Sequence, residues 1–274
     1  MGAANLECIV DMEETEARFS SQIVVITGSA TGIGEATMAR FASEGASVVG
    51  LDNNTSENNA TAATIRSEGG QALAVDCDVR SEEQQERAFA EVLERYGRID
   101  VLVASAGIFV GSALADIPME RWHDIEAVNL TGVLLSNKLV APTMTEQGSG
   151  SIINIASMAA KTSWPQSAEY SATKSGVIGI TRSVAMELGP HGITANAVCP
   201  GNTLTAMVHK VAGEVGATLD MTADEWLAMR ANDTALKRLA KPWEVAGLIA
   251  FLASADARYI TGQSIEVDGG LILS

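Results

Sequence analysis

Basic residues, cysteines and histidines are scarce in this sequence, and membrane-length apolar runs are missing altogether. Lysine and arginine number 18 against 34 aspartates and glutamates, and the formal charge of −16 argues against nucleic acid and anionic membrane surfaces as partners. Cys8, Cys77 and Cys199 are scattered without a CxxC, so they read as incidental thiols of a reducing compartment. His123, His191 and His209 show no ligand spacing, which leaves metal catalysis without support. No apolar stretch approaches the roughly 18 residues that cross a bilayer. Charged residues make up only 19% against 47% hydrophobic, which excludes a disordered chain. Residues 1–20 hold Glu7, Asp11, Glu13, Glu14 and Glu16 and read as an acidic tail, neither a secretory signal nor a transit peptide. A cytoplasmic protein is expected.

What is present alternates. Apolar, β-branched runs at 23–27, 47–51, 73–76, 101–104, 151–156, 194–198 and 264–267 read as strands. Helical patterns lie between them: from the glycine loop to 44, then 61–67, 82–96, 119–129 and on to 144, 170–188 and 244–253. Such alternation means βαβ units and a parallel sheet covered on both faces. No repeat or break in composition divides the chain, so residues 21–274 form one domain. The expected fold is α/β, a Rossmann-like doubly wound sheet.

The run Thr27-Gly28-Ser29-Ala30-Thr31-Gly32-Ile33-Gly34 follows the first strand and opens a helix. There, backbone N–H groups and the positive helix end would face a pyrophosphate. Asp52 ends the second strand, where a carboxylate accepts hydrogen bonds from adenosine ribose hydroxyls. No Arg or Lys occurs in 28–34 or 51–65, so a 2′-phosphate would meet no cation there. The expectation is NAD rather than NADP.

Tyr170 and Lys174 stand four apart in Tyr-Ser-Ala-Thr-Lys, a spacing that stacks them on one helix face. A phenol is a poor base near neutrality, and a fixed cation beside it would favour the phenolate. Ser157 precedes the tyrosine by thirteen residues, at the end of a strand. Tyrosine, lysine and serine beside a dinucleotide loop are the parts that move a proton while a cofactor moves a hydride.

Together these runs resemble the short-chain dehydrogenase/reductase family from about residue 22 to 273. The further motifs are Asp78-Val79, Ala104-Ser105-Ala106-Gly107, Asn129, Pro200-Gly201, Tyr259-Ile260-Thr261-Gly262-Gln263 and Val267-Asp268-Gly269-Gly270. The family's Asn-Asn-Ala-Gly is Ala-Ser-Ala-Gly here, and Met-Ala-Ala follows Ser157 without the common glycine.

The resemblance implies Tyr170 as general acid/base, with Lys174 on the nicotinamide ribose and lowering the tyrosine pKa. It implies Ser157 on the reacting oxygen and Asn129 holding a water that relays protons from Lys174. Asp78 and Val79 would contact adenine, and Ala106 and Gly107 the turn beside the nicotinamide. Pro200, Gly201 and Thr203, or Thr205, would hold the carboxamide side.

A small-molecule alcohol or ketone is the expected substrate. Residues 202–232 would be a substrate lid, with Met207 and Trp226 in it and Ala212, Gly213 and Gly216 making it mobile. Trp164, Gln166 and Glu169 fall between serine and tyrosine. Gln166 and Glu169 suit a polyol, sugar or hydroxy acid; Trp164 and Met158 suit a hydrophobic cyclic alcohol or steroid. The alternatives are a 3-oxoacyl carrier reductase and a non-catalytic NAD-binding sensor or scaffold. Val177, Ile180, Val184 and Leu188, with the apolar tail 265–273, would pair subunits into a homotetramer, as in the family.

Overall fold

The structure is a computed structural model and describes residues 17–162 and 164–273. Seven parallel strands lie in the order β3-β2-β1-β4-β5-β6-β7. They are β1 (Ile23–Thr27), β2 (Ser47–Asp52), β3 (Gln71–Asp76), β4 (Val101–Ala104), β5 (Gly150–Ile155), β6 (Ile193–Pro200) and β7 (Ser264–Val267). Among the described residues nine α-helices connect and cover them: α1 (Gly32–Ser43), α2 (Thr55–Ser67), α3 (Glu82–Tyr96), α4 (Met119–Glu126), α5 (Gly132–Gln147), α6 (Ala168–Leu188), α7 (Ala206–Thr218), α8 (Ala223–Asp233) and α9 (Pro242–Ala253). A π-helical turn, Ala127–Thr131, links α4 to α5.

Alternate residues of each central strand face opposite layers. Val24 and Ile26 pack with Met38 and Phe41 of α1 and Val245 and Ile249 of α9. Val25, Val49 and Leu102 pack on the other face with Phe89, Val92, Val140 and Met144 of α3 and α5. Burial of each such Ile or Leu contributes roughly 1.5–3 kcal/mol, which is why both faces must be covered. Strand order reverses between β1 and β4, and the loops at their carboxyl ends part to form a crevice.

Several boundaries differ from the sequence pattern. Helix α2 contains the expected helical stretch 61–67 and begins at Thr55, its first turn capped by Asn54 and anchored by a buried Asn58 instead of an apolar stripe. Strand β6 runs two residues further, to Pro200. Packing also starts before residue 21: Phe19 is fully buried edge-on against Phe41 at 4.7 Å. Residues 1–16 of the expected acidic tail, and Cys8, lie outside the described residues.

On α6, Val177 and Leu188 are buried in the chain's own core, so they do not form the subunit-facing stripe expected of them. Among the described residues no helix is long and apolar enough to cross a membrane.

Candidate active site

The glycine loop is shaped by close approach. Gly28 adopts φ +69°, and a Cβ there would stand 2.6 Å from the Ala106 Cα. A Cβ on Gly34 would collide with the Gly28 carbonyl oxygen. The Thr27 hydroxyl oxygen accepts from Ser105 N (3.1 Å) and Ala106 N (3.3 Å), which fixes the β1 loop to the β4 turn although that turn lacks the family's first two asparagines. Thr31, at the start of α1, makes no side-chain cap, whereas α2, α3, α7 and α8 are capped by Asn54, Ser81, Thr205 and Thr222. No side chain at the cap position satisfies the first-turn N–H groups of α1.

This loop borders a cleft of about 440 Å³. All the expected cofactor residues line it: Gly28, Thr31, Gly32, Ile33, Gly34, Asp52, Asp78, Val79, Ala106, Gly107, Tyr170, Lys174, Pro200, Gly201 and Thr203. Asp52 accepts from Ala30 N at 3.0 Å and Asn54 N at 2.8 Å, one bond per carboxylate oxygen. Each oxygen keeps an acceptor site.

Arg80 lines the cleft too, although it falls outside residues 28–34 and 51–65. Its guanidinium grips Asp78 through Nε at 3.0 Å and Nη2 at 2.6 Å. That hydrogen bond holds the Asp78 carboxyl below its usual range. The signal was its place directly after Asp78-Val79. Thr205, left open beside Thr203, also lines the cleft and packs toward Gly32.

Lys174 is buried and donates to the Ile155 carbonyl at 2.7 Å, with its ammonium 5.8 Å from the Tyr170 ring centre. Burial lowers its pKa to about 8. Burial also pushes the Tyr170 phenol up, a hydrogen bond with Ser157 working against it. Of these two influences on the phenol, desolvation is the larger. Phe109 meets the Tyr170 ring edge-on at 5.1 Å and fixes its tilt.

Ser157 Oγ accepts from Ala159 N at 3.1 Å, which leaves its own hydrogen for the side facing Tyr170. Asn129 lies behind the cleft, in the π-helical turn. Its amide donates to Ile108 O (2.9 Å) and accepts from Ile108 N (2.8 Å), locking the turn after Gly107. A Cβ on Gly107 would touch both Lys174 Nζ (3.4 Å) and Asn129 Oδ1 (3.5 Å), so the two side chains meet at that glycine.

A second cavity of about 390 Å³ adjoins the first and shares Ser157, Tyr170, Gly201, Met207 and Val208 with it. Trp164, Gln166, Met158, Val211, Val215 and Trp226 are among its walls. Glu169 is not: it is buried against Arg121 of α4, Nη2 to Oε1 at 3.1 Å, because its helix phase turns it inward. Ala212, Gly213 and Gly216 belong to α7. They lie inside the helix, and Gly216 lets α8 approach, a Cβ there standing 3.5 Å from the Trp226 Cβ.

Comparison with known proteins agrees with this geometry. The family model described as enoyl-(acyl carrier protein) reductase matches residues 28–272. The short-chain reductase protein NovJ of Streptomyces niveus is 38% identical over 257 residues, 93% of this chain and 96% of that protein. A 3-oxoacyl-[acyl-carrier-protein] reductase of Synechocystis is 39% identical over 256 residues, 93% of this chain and 98% of that one. The crystal structure of an actinorhodin polyketide ketoreductase variant with NADPH superposes with a TM-score of 0.89 at 36% identity, covering 91% of this chain and 97% of that one. The chain belongs to the short-chain dehydrogenase/reductase family of oxidoreductases.

Proposed function

We propose that this protein interconverts a secondary alcohol and its ketone with NAD(H), using Tyr170 as general acid and base. The observation that carries the reading is that Ser157 and Tyr170 wall both cavities. A carbonyl held in the apolar pocket would meet the phenol and the hydroxyl at the border of the cofactor cleft.

The cleft suits a dinucleotide. The uncapped start of α1 and the loop Gly28, Thr31, Gly32, Ile33 and Gly34 offer N–H groups and room for a pyrophosphate. Asp52 would take the adenosine ribose, Asp78 and Val79 the adenine edge, and Ala106, Gly107, Pro200, Gly201 and Thr203 the nicotinamide half. When bound, the nicotinamide supplies or takes the hydride at the substrate carbon. Tyr170 gives its proton to the carbonyl oxygen in reduction and takes the hydroxyl proton in oxidation. Ser157 donates to that oxygen as charge develops. Lys174 orients the ribose, and Asn129, beside it, marks the path by which the proton returns to solvent. Helices α7 and α8 close over the substrate.

The preference for NAD rests on Asp52, whose carboxylate would face a 2′-phosphate, and on Arg80, whose guanidinium is already engaged by Asp78. A second reading, a 3-oxoacyl carrier reductase, is favoured by the name of the Synechocystis relative. One assay separates these: alcohols, ketones and 3-oxoacyl thioesters, each with NAD(H) and NADP(H). NAD should be favoured by about a hundredfold in catalytic efficiency, and Asp52→Ala should erode that mainly by weakening NAD. Equal efficiencies would reduce Asp52 to a turn residue. Fastest turnover of the thioesters with NADPH would select the second reading, and cofactor binding without turnover would indicate a sensor.

Association into a homotetramer belongs to the same proposal. The exposed apolar side chains Met186, Phe251, Tyr259 and Leu273 give it a surface. A monomer in light scattering at micromolar concentration would remove it.

A further inference from the structure

The apolar pocket contains donors that no described residue satisfies. Trp226 is 5% exposed, and its Nε1–H has no hydrogen-bond partner. Arg230, one turn further along α8, lies over the indole ring at 5.3 Å. It uses Nη1 on Asp233 at 3.0 Å, while Nε is buried without a partner. Nη2 makes no hydrogen bond to any described residue. Asn202 Nδ2, on the same pocket wall, is a third buried donor left alone.

Indole and guanidinium can donate but cannot accept, so the group they await is an acceptor. Leaving buried donors unmade opposes folding, and a ligand that satisfies them relieves that cost on binding. The unused Nε–Nη2 edge is the side of a guanidinium that takes a carboxylate through two parallel bonds. Asp233 offsets the Nη1 side only in part, since its side chain is 40% exposed and screened by water. Among the described residues Arg230 is also the sole basic side chain lining this pocket, and an anionic substrate approaching a protein of charge −16 needs such a placed cation. Met158, Val211, Val215 and Leu219 line the same pocket as Arg230 and Tyr170 and give it apolar walls.

We propose that Arg230, with Trp226 and Asn202, binds a carboxylate carried by the substrate at a distance from its reacting carbon. The substrate class is a keto acid or hydroxy acid with an apolar ring or chain between the two groups. This deepens the alcohol–ketone reading and rests on it.

The test uses cyclic ketones, in one-ring and two-ring versions, bearing a carboxylate, its methyl ester or a methyl group at the far carbon. In the unmodified protein the carboxylate should exceed the methyl compound in kcat/KM by about tenfold or more, the discrimination expected of a site built to bond a polar group. Arg230→Met should bring that ratio toward one, and Trp226→Phe should lower it by a smaller factor. Equal efficiencies, a preference that survives Arg230→Met, or a methyl ester as good as the acid would each overturn the proposal. Should no ketone be turned over, the alcohol–ketone reading fails. Thermal shifts of the cofactor-loaded protein still decide the site: a rise in Tm with the carboxylates that Arg230→Met abolishes supports it, and no rise overturns it.

Discussion

The two cavities that meet at Tyr170 are made of different material. The cofactor cleft is built at the carboxyl ends of strands from backbone, glycines and short side chains, and its shape follows from approaches as tight as Gly28 on Ala106. The apolar pocket is built largely from side chains of α7, α8 and the stretch before α6, none of which belongs to the sheet. A cradle of backbone binds what its topology dictates. A wall of side chains can be rewritten one residue at a time, so the choice of substrate resides there.

The sharpest way to break this contrast is at the shared wall. Tyr170→Phe keeps the ring and its contact with Phe109 but removes the proton carrier, so turnover should fall by roughly two to four orders of magnitude. Cofactor affinity should persist, since the glycine loop and Lys174 are intact. Turnover at the original rate would sink the assigned mechanism.

The next effect is a pH dependence within the cleft. Burial holds Lys174 at about 8 against an ordinary 10.5, so the fold favours its neutral form. Below pH 8 both folded and unfolded chains are protonated and the cost of the buried charge is complete. Between pH 8 and 10.5 the unfolded chain keeps a proton that the folded chain has shed, and stability rises with pH. Relative to Lys174→Met, the cofactor-free protein should gain on the order of 3 kcal/mol across that window. Denaturant unfolding of both at pH 7.5 and 10.5 measures it; a constant difference would mean the ammonium is not desolvated.

The smallest effect tests the pocket side alone. Thr222 and Glu225 cap α8 reciprocally, with Glu225 N to Thr222 Oγ1 at 3.3 Å and Thr222 N to Glu225 Oε2 at 2.8 Å. Thr222→Ala should cost about 1 kcal/mol and raise the substrate KM while leaving the cofactor Kd alone. Equal damage to both constants would show that the two cavities are not separable.

The sequence made the cleft legible because its parts are punctuation: glycines after a strand, an aspartate at a strand end, a tyrosine and lysine one turn apart. Their order survives in one dimension. What was hidden depended on the third. Arg80 enters the cleft because β3 lies beside β2, a proximity that residues 28–34 and 51–65 do not encode. Helix α2 began unseen because Asn58 anchors it by donating to the Gly50 carbonyl at 2.9 Å, a polar signal without periodicity. Charge spacing suggested that Lys174 would acidify Tyr170, but spacing carries no information on desolvation. Glu169 was misplaced for a related reason, since helix phase decides whether a side chain lines a pocket or meets a neighbouring helix.

The π-helical turn before α5 has a bearing on how this chain tolerates insertion and deletion. From Met119 to Gln147 the backbone is nearly one continuous rod carrying a surplus residue in its middle, and that surplus sets the phase between its two arms. On one side it turns Asn129 onto Ile108; on the other it turns Asn137 onto Asn154, at 2.8 Å, and Ser136 onto Gln85, at 2.7 Å. Removing a single residue there would restore a regular helix and rotate one arm by about 100° against the other. Either the active-site turn or the polar seam along the sheet would then lose its partners. Point substitution can vary this stretch, but its length is fixed.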